Sequence, residues 1–314
     1  MLLAGNHPIQ APMTAGAPHA EASGRAYLLL TLTALCWGGN AVLGRLAVGE
    51  VSPMALVTLR WLGASALLVV FAHAQVRRDW PAMRERLLFV SAMGAIGFTV
   101  FNGLFYVAAH WTTAVNIGII QGSIPVFVLI GAFAAYRMRV AGLQVAGVLV
   151  TMLGVAIVAS GGQLARLATL ALNFGDVLMI AACVLYAGYT LGLSRRPPVS
   201  PLSLFTGMAA AAFASSLTLA LAEAMLGQFQ WPTAPGWIIV GLVTLFPSFL
   251  AQITFIHGVA LIGPSRAGVF INLVPVFASI LALLILHEPF RLFHAVALAL
   301  VLGGIWLSER GKVT

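Results

Sequence analysis

Ten stretches of about 20 mostly apolar residues follow one another along the chain, near 26–48, 53–72, 86–109, 113–136, 142–160, 174–193, 201–225, 235–258, 264–286 and 291–308. As helices rising 1.5 Å per residue, such stretches match the roughly 30 Å hydrocarbon core of a bilayer. Every backbone N–H and C=O inside lipid must be paired without water, and a helix pairs its own, so an all-helical bundle follows. The fold class is therefore all-α, a polytopic membrane protein with ten transmembrane helices. Only 8% of the residues are charged, about a third of the share a soluble globular chain carries. Pro53, Pro201, Pro235 and Pro264 open four of the runs, where a missing backbone donor is tolerated. Residues 1–25 lack an unbroken apolar core behind a basic start, so they are no signal peptide. Their Ala, Pro, Gly and His content points to a disordered cytoplasmic tail.

A net charge of +8 evokes nucleic acid only until the charges are located. They sit in the short connections, where basic residues set the orientation of a membrane protein. With the N-terminus inside, the cytoplasmic set is Arg25, Arg77, Arg78, Arg84, Arg86, Arg137, Arg139, Arg195, Arg196, Arg310 and Lys312. The outer set is Arg45, Arg166 and Arg291, with Arg60 and Arg266 left inside helices. Both termini are expected to be cytoplasmic, in a bacterial inner membrane, with lipid and a small-molecule substrate as partners and no nucleic acid.

The chain also repeats itself. Shifted by 150 residues, "GIIQGSIPVFVLIGAF" lies on "GVFINLVPVFASILAL", so that Gly118, Pro125, Val126 and Phe127 recur as Gly268, Pro275, Val276 and Phe277. At a shift of 148, Pro53, Leu56 and Thr58 recur as Pro201, Leu204 and Thr206. Five helices per half is an odd number, so the second half must be inverted relative to the first. The expected halves are 26–160 and 174–308. Inverted repeats carry their substrate site between the halves, near the bilayer midplane.

Nothing in the sequence reads as an enzyme, a cofactor site or a metal site. The only lysine is Lys312, so no phosphate-binding loop ending in Lys exists. His287-Glu288 lacks a second histidine one turn on, so it is no zinc pair. Cys36 and Cys183 sit in apolar runs as small hydrophobes. Asp176 at the mouth of the sixth helix and Glu223 near the end of the seventh are the acids that bear on ion coupling. The first helix carries none, so facilitated diffusion is expected. Arg60 is expected to snorkel to the outer headgroups. Arg266 is expected to pin a cytoplasmic gate or to meet a substrate carboxylate.

Uncharged polar residues form stripes at helical spacing. They place Trp37 and Asn40 on the first helix, Asn102 and Tyr106 on the third, and Gln121 on the fourth. Tyr186 and Tyr189 follow on the sixth, Gln252 on the eighth and Asn272 on the ninth. Two alternatives stand for these amides: glue between helices or the polar contacts of an otherwise apolar cavity. Pro125 and Pro275 lie mid-helix at equivalent positions. They are expected to kink their helices and to act as hinges.

The stretches "ALCWGGNAVLGRLA", "TLRWLGASALLV", "IPVFVLIGAF", "VPVFASILALLILHEP" and "LYAGYTLGLSRR" resemble the EamA-type ten-helix carriers of the drug/metabolite transporter superfamily. The nearest subgroup by resemblance is the YddG-like amino-acid exporters. The resemblance spans roughly 26–308. It implies a monomeric basket of ten helices that exports amino acids or related metabolites. The resulting expectation is export of neutral, often bulky amino acids by alternating access without ATP. Trp37, Tyr106, Tyr186 and Tyr189 would serve as walls, with Asn40, Asn102, Gln121, Gln252 and Asn272 as polar contacts. Two rivals stand beside it: a carrier of another metabolite or drug, and a membrane protein that transports nothing.

Overall fold

The computed structural model describes residues 17–137, 141–163 and 172–310. Arg139, Arg166 and Lys312, used in reading the orientation, and residues 1–16 of the expected tail lie outside them. Ten helices are long and apolar enough to cross a membrane: α1 (Ser23–Leu46), α2 (Pro53–Glu85), α3 (Leu87–Ala108), α4 (Ala114–Ala135), α5 (Gly142–Ala159), α6 (Phe174–Arg195), α7 (Pro201–Met225), α8 (Ala234–Ile262), α9 (Arg266–Leu286) and α10 (Leu292–Arg310). No strand occurs among the described residues. Helical turns reach back from α1 to Ala17, so residues 17–25 are helix where a disordered tail was expected.

The second helix corrects its expected end near residue 72 by continuing to Glu85, 33 residues in all. At 1.5 Å per residue it is about 50 Å long, well beyond the hydrocarbon core. Arg77, Arg78 and Arg84 therefore ride on projecting helix rather than on a loop. Hydropathy marks where lipid ends, and the helix does not end there.

Repeat-related helices run in opposite directions. The C-terminal turns of α2 meet the start of α7, where Asp79 Oδ2 accepts the Ser200 N–H at 2.9 Å. At the other end of the pair, Glu223 of α7 accepts the Ser52 hydroxyl at 2.6 Å and the Met54 N–H at 3.3 Å. Ser52 and Ser200 are the N-caps of α2 and α7. Each helix thus ends in a carboxylate that satisfies orphan donors and the positive dipole end of its partner. The α5/α10 pair is also antiparallel. A Cβ on Gly147 would lie 2.4 Å from the Gly304 carbonyl, and one on Gly154 2.8 Å from that of Ala297. Small residues let the two backbones touch, the usual basis of helix packing in lipid. Equivalent helices in opposed directions are what inversion of the two halves requires.

Four helices are irregular, and they too match in pairs. α3 contains a π-helical stretch, Ala95–Val100, and α8 contains one at Thr244–Leu250. Pro247, without an N–H, interrupts the ladder of the second, and Ser248 Oγ donates to the Val243 carbonyl at 2.6 Å. α4 is two pieces, Ala114–Gln121 and Ile124–Tyr136. The ninth span is likewise split, into Pro264–Ile271 and Val274–Leu286. This corrects the expectation of kinks in continuous helices. Pro125 and Pro275 are each the second residue of a restarted helix, where the missing donor would have been an orphan anyway. Ser123 Oγ donates to the carbonyl of Ile120 at 2.6 Å, closing one end of the break. The two breaks adjoin, since a Cβ on Gly122 would sit 3.1 Å from Pro275 Cγ.

Candidate functional site

The main correction to the sequence reading is Arg60. It does not snorkel: it is 3% exposed and points into the bundle. Its Nε donates to Ser248 Oγ at 2.9 Å, its Nη1 to Asn102 Oδ1 at 2.8 Å, and Nη1 also to the Tyr106 hydroxyl. The Tyr106 hydroxyl in turn donates to Asn40 Oδ1 at 2.9 Å. Asn102 Nδ2 is spent on the Phe98 carbonyl at 2.5 Å. The guanidinium lies 5.2 Å from the Trp61 ring centroid and 5.6 Å from that of Tyr106, within cation–π range.

Local structure explains the cluster. Asn102 and Tyr106 are four residues apart, one turn, just after the π turn of α3. Ser248 sits inside the π turn of α8. α2 packs on the wide turn of α8, and Arg60 reaches from it to Asn102 and Tyr106 of α3, so one arginine meets polar groups from the two halves. Every described partner of Arg60 is neutral. The ion pairs among the described residues are Arg45 with Glu288 and Arg78 with Asp79, and Arg60 is in neither. Its Nη2 makes no hydrogen bond among those residues.

An aromatic wall adjoins the cluster. Trp61 stacks on Phe98 at 4.6 Å between centroids and 8° between planes. Phe98 in turn lies 5.7 Å from Tyr189 and 5.9 Å from Phe205. Tyr186 lies 4.7 Å from Phe101 and 5.1 Å from Tyr189. Along the same stretch of α2, Thr58 Oγ1, Trp61 Nε1 and Ser65 Oγ are buried without hydrogen-bond partners. Native structures leave few such atoms.

Of the residues singled out in the sequence, Asn40, Asn102 and Tyr106 meet in this cluster, and Tyr186 and Tyr189 form its wall. Trp37 is close by: its Nε1 donates to the Pro247 carbonyl at 3.2 Å and its ring lies 5.3 Å from that of Phe255. Among the described residues, Gln121, Gln252 and Asn272 make no hydrogen bond to the cluster. Gln121 Oε1 is buried and unpaired at the α4 break. Arg266, considered for an interior role, is exposed at the start of α9. Glu288 is a cap rather than a cavity group, accepting the N–H groups of Ala114 at 2.9 Å and Val115 at 3.0 Å. Arg60, Trp61, Phe98 and Ser248 were missing from the expected site. No group of three or more His, Cys, Asp or Glu residues able to hold a metal occurs among the described residues.

Known proteins share this architecture. A solved crystal structure superposes with a TM-score of 0.61 over 90% of this chain and 96% of that one, at 20% identity, a likeness of fold alone. YetK of Bacillus subtilis, named an uncharacterized transporter, is 28% identical over 285 residues, 90% of this chain and 86% of its own. YedA of Escherichia coli K12, named an uncharacterized inner membrane transporter, is 24% identical over 284 residues, 88% of each chain. A transporter from Archaeoglobus fulgidus, also named uncharacterized, is 27% identical over 287 residues, 90% of this chain and 97% of its own. The profile of the EamA-like transporter family matches residues 24–160 and matches again at 173–310. The chain therefore belongs to the EamA-like transporter family, as a multi-pass membrane transporter and not an enzyme.

Proposed function

We propose that this carrier exports amino acids, neutral and bulky ones with broad specificity, across the inner membrane by alternating access and without ATP. The observation that supports the substrate class is the buried, uncompensated guanidinium of Arg60 beside a stacked aromatic wall. A buried charge held only by neutral groups is costly, and a substrate carboxylate is a partner that offsets the cost. An Arg N–H bond to a carboxylate is charge-assisted and strong, and Nη2 has its donors to spare. This reading gives Arg60 the carboxylate contact that the sequence had offered to Arg266. A zwitterion presents its carboxylate to Arg60 and its side chain to Trp61, Phe98, Tyr186 and Tyr189. Its ammonium meets the carbonyl oxygens of Asn40 and Asn102 and the faces of the rings. Trp37, Gln252, Asn272 and Gln121 extend the lining when the bundle opens.

The test compares each amino acid with its primary amide, which keeps the ammonium and side chain but lacks the anion. Purified carrier should bind the amide about ten- to a hundredfold more weakly, the worth of a hydrogen bond to a charged group. Equal affinity for acid and amide would remove the carboxylate from the account. Carboxylates without an ammonium belong in the same panel. If they bind as tightly as amino acids, the carrier handles organic acids more broadly.

A further inference from the structure

A second buried charge lies outside this site. Asp176 is 1% exposed, in the first turn of α6. Thr112 donates its hydroxyl to Asp176 Oδ1 at 2.5 Å. Asn116 Nδ2 reaches Oδ1 at 3.3 Å and Oδ2 at 3.2 Å, and also the Thr112 hydroxyl at 3.1 Å. The N-cap Asn173 accepts the Asp176 N–H at 3.2 Å and donates Nδ2 to the Trp111 carbonyl at 2.9 Å. A Cβ on Gly175 would sit 2.7 Å from the Ala108 carbonyl. These contacts tie the start of α6 to the connection from α3 to α4. Tyr106 of the Arg60 cluster lies in the last turn before that connection.

We propose that Asp176 is a proton-binding site, and that uptake of a proton from water at that face releases this tie. The ionised carboxylate accepts the Thr112 hydroxyl and the Asn116 amide. Charge-assisted bonds of this kind are about twice as strong as neutral ones, so the ionised form holds α6 against α4. The acid form also has a partner waiting. Asn116 Oδ1 is buried with no hydrogen-bond donor. Turning that amide over brings Oδ1 to the carboxyl, where it accepts the acid proton. The carboxyl group can therefore find partners in both protonation states, at unequal strength, as a proton-operated latch requires.

The charged groups around it are few. Glu288 caps Ala114 and Val115 on the same helix start, and Arg45 lies 3.9 Å from Glu288, so that arginine is engaged. Arg45 also donates to the Ala109 carbonyl. His110 is on the connection itself; burial, then the nearby Arg45, hold its imidazole below the ordinary histidine value. α5 ends nearby in uncharged residues, Ala159 and Ser160. Arg166 lies outside the described residues.

Hydrogen–deuterium exchange of the purified carrier reads the latch directly and needs no substrate, so its result is independent of the proposed amino-acid export. Between about pH 8 and pH 5.5, uptake over 108–117 and 172–180, corrected for the intrinsic pH dependence of exchange, should rise tenfold or more. That is the fold-change for losing a hydrogen bond to a charged group in a local opening. Asp176→Asn should show the high uptake at both pH values, and His110→Asn should follow the wild type. If Asp176→Asn does not fold, Thr112→Val removes one donor and should raise uptake at pH 8 toward the pH 5.5 level. A flat wild-type profile, an Asp176→Asn protein that keeps the wild-type response, or a Thr112→Val protein with unchanged uptake at pH 8 each overturns the latch.

Discussion

Arg60 and Met208 occupy equivalent places in the two halves, seven residues after Pro53 and Pro201, and both are buried. One half fills the position with an apolar side chain of similar length, so the helix pair does not need a cation there. Arg60→Met should therefore leave the melting temperature in detergent within a few degrees of the wild type, because it removes an uncompensated buried charge. Affinity for amino acids should fall about ten- to a hundredfold. A large loss of stability with unchanged affinity would make Arg60 a structural residue. Asn102→Leu should weaken binding by a similar factor, since its Oδ1 orients the guanidinium. Titrating binding by calorimetry checks both. Asn102 and Tyr106 were legible as a polar stripe. The interior position of Arg60 was not, for a physical reason. The buried face of α2 includes Leu56, Arg60, Ala64 and Leu68, while Leu62, Val69 and Phe71 are exposed. In lipid the outer face is as apolar as the inner one, so the helical period that separates inside from outside in water vanishes.

At the scale of elements, the pairs of proline and π turns are what separate this bundle from ten straight rods. The proline pair was visible as a repeat in the sequence. The π turns were not, because only Pro247 announces one; its counterpart 150 residues earlier is Gly97. Gly97 has its own reason to be glycine: a Cβ there would lie 2.4 Å from the Tyr189 ring. Gly97→Ala must push Tyr189 off the π turn and open the aromatic wall. Affinity for aromatic amino acids should drop more than that for alanine, measured as competition against one labelled substrate; an equal drop would show that Tyr189 does not contact the side chain. The proline breaks carry a second prediction. Pro125→Ala and Pro275→Ala restore a donor and favour a continuous helix across each break. Binding should stay within a few-fold while exchange slows strongly. Wild-type exchange rates in both variants would leave the breaks as fixed architecture and not hinges.

For the whole molecule, the ten spans and their inversion followed from length, hydrophobicity and an odd repeat, because a bilayer dictates these quantities. The reciprocal caps, Asp79 on α7 and Glu223 on α2, could not be read the same way, since they join residues more than 100 positions apart. Orientation adds a testable statement: with the termini inside, the projecting end of α2 is cytoplasmic. A cysteine placed at Arg78 should resist a membrane-impermeant reagent in intact cells and react after lysis. Labelling in intact cells would invert the bundle. The central claim is that one cation between two inverted halves lets amino acids cross by exchange alone, with no nucleotide. Counterflow in nucleotide-free proteoliposomes tests it most directly. Vesicles preloaded with an unlabelled bulky neutral amino acid should accumulate the labelled form transiently with the wild type and much more slowly with Arg60→Met. No counterflow for any amino acid in the panel, or equal counterflow by the two proteins, would contradict the account.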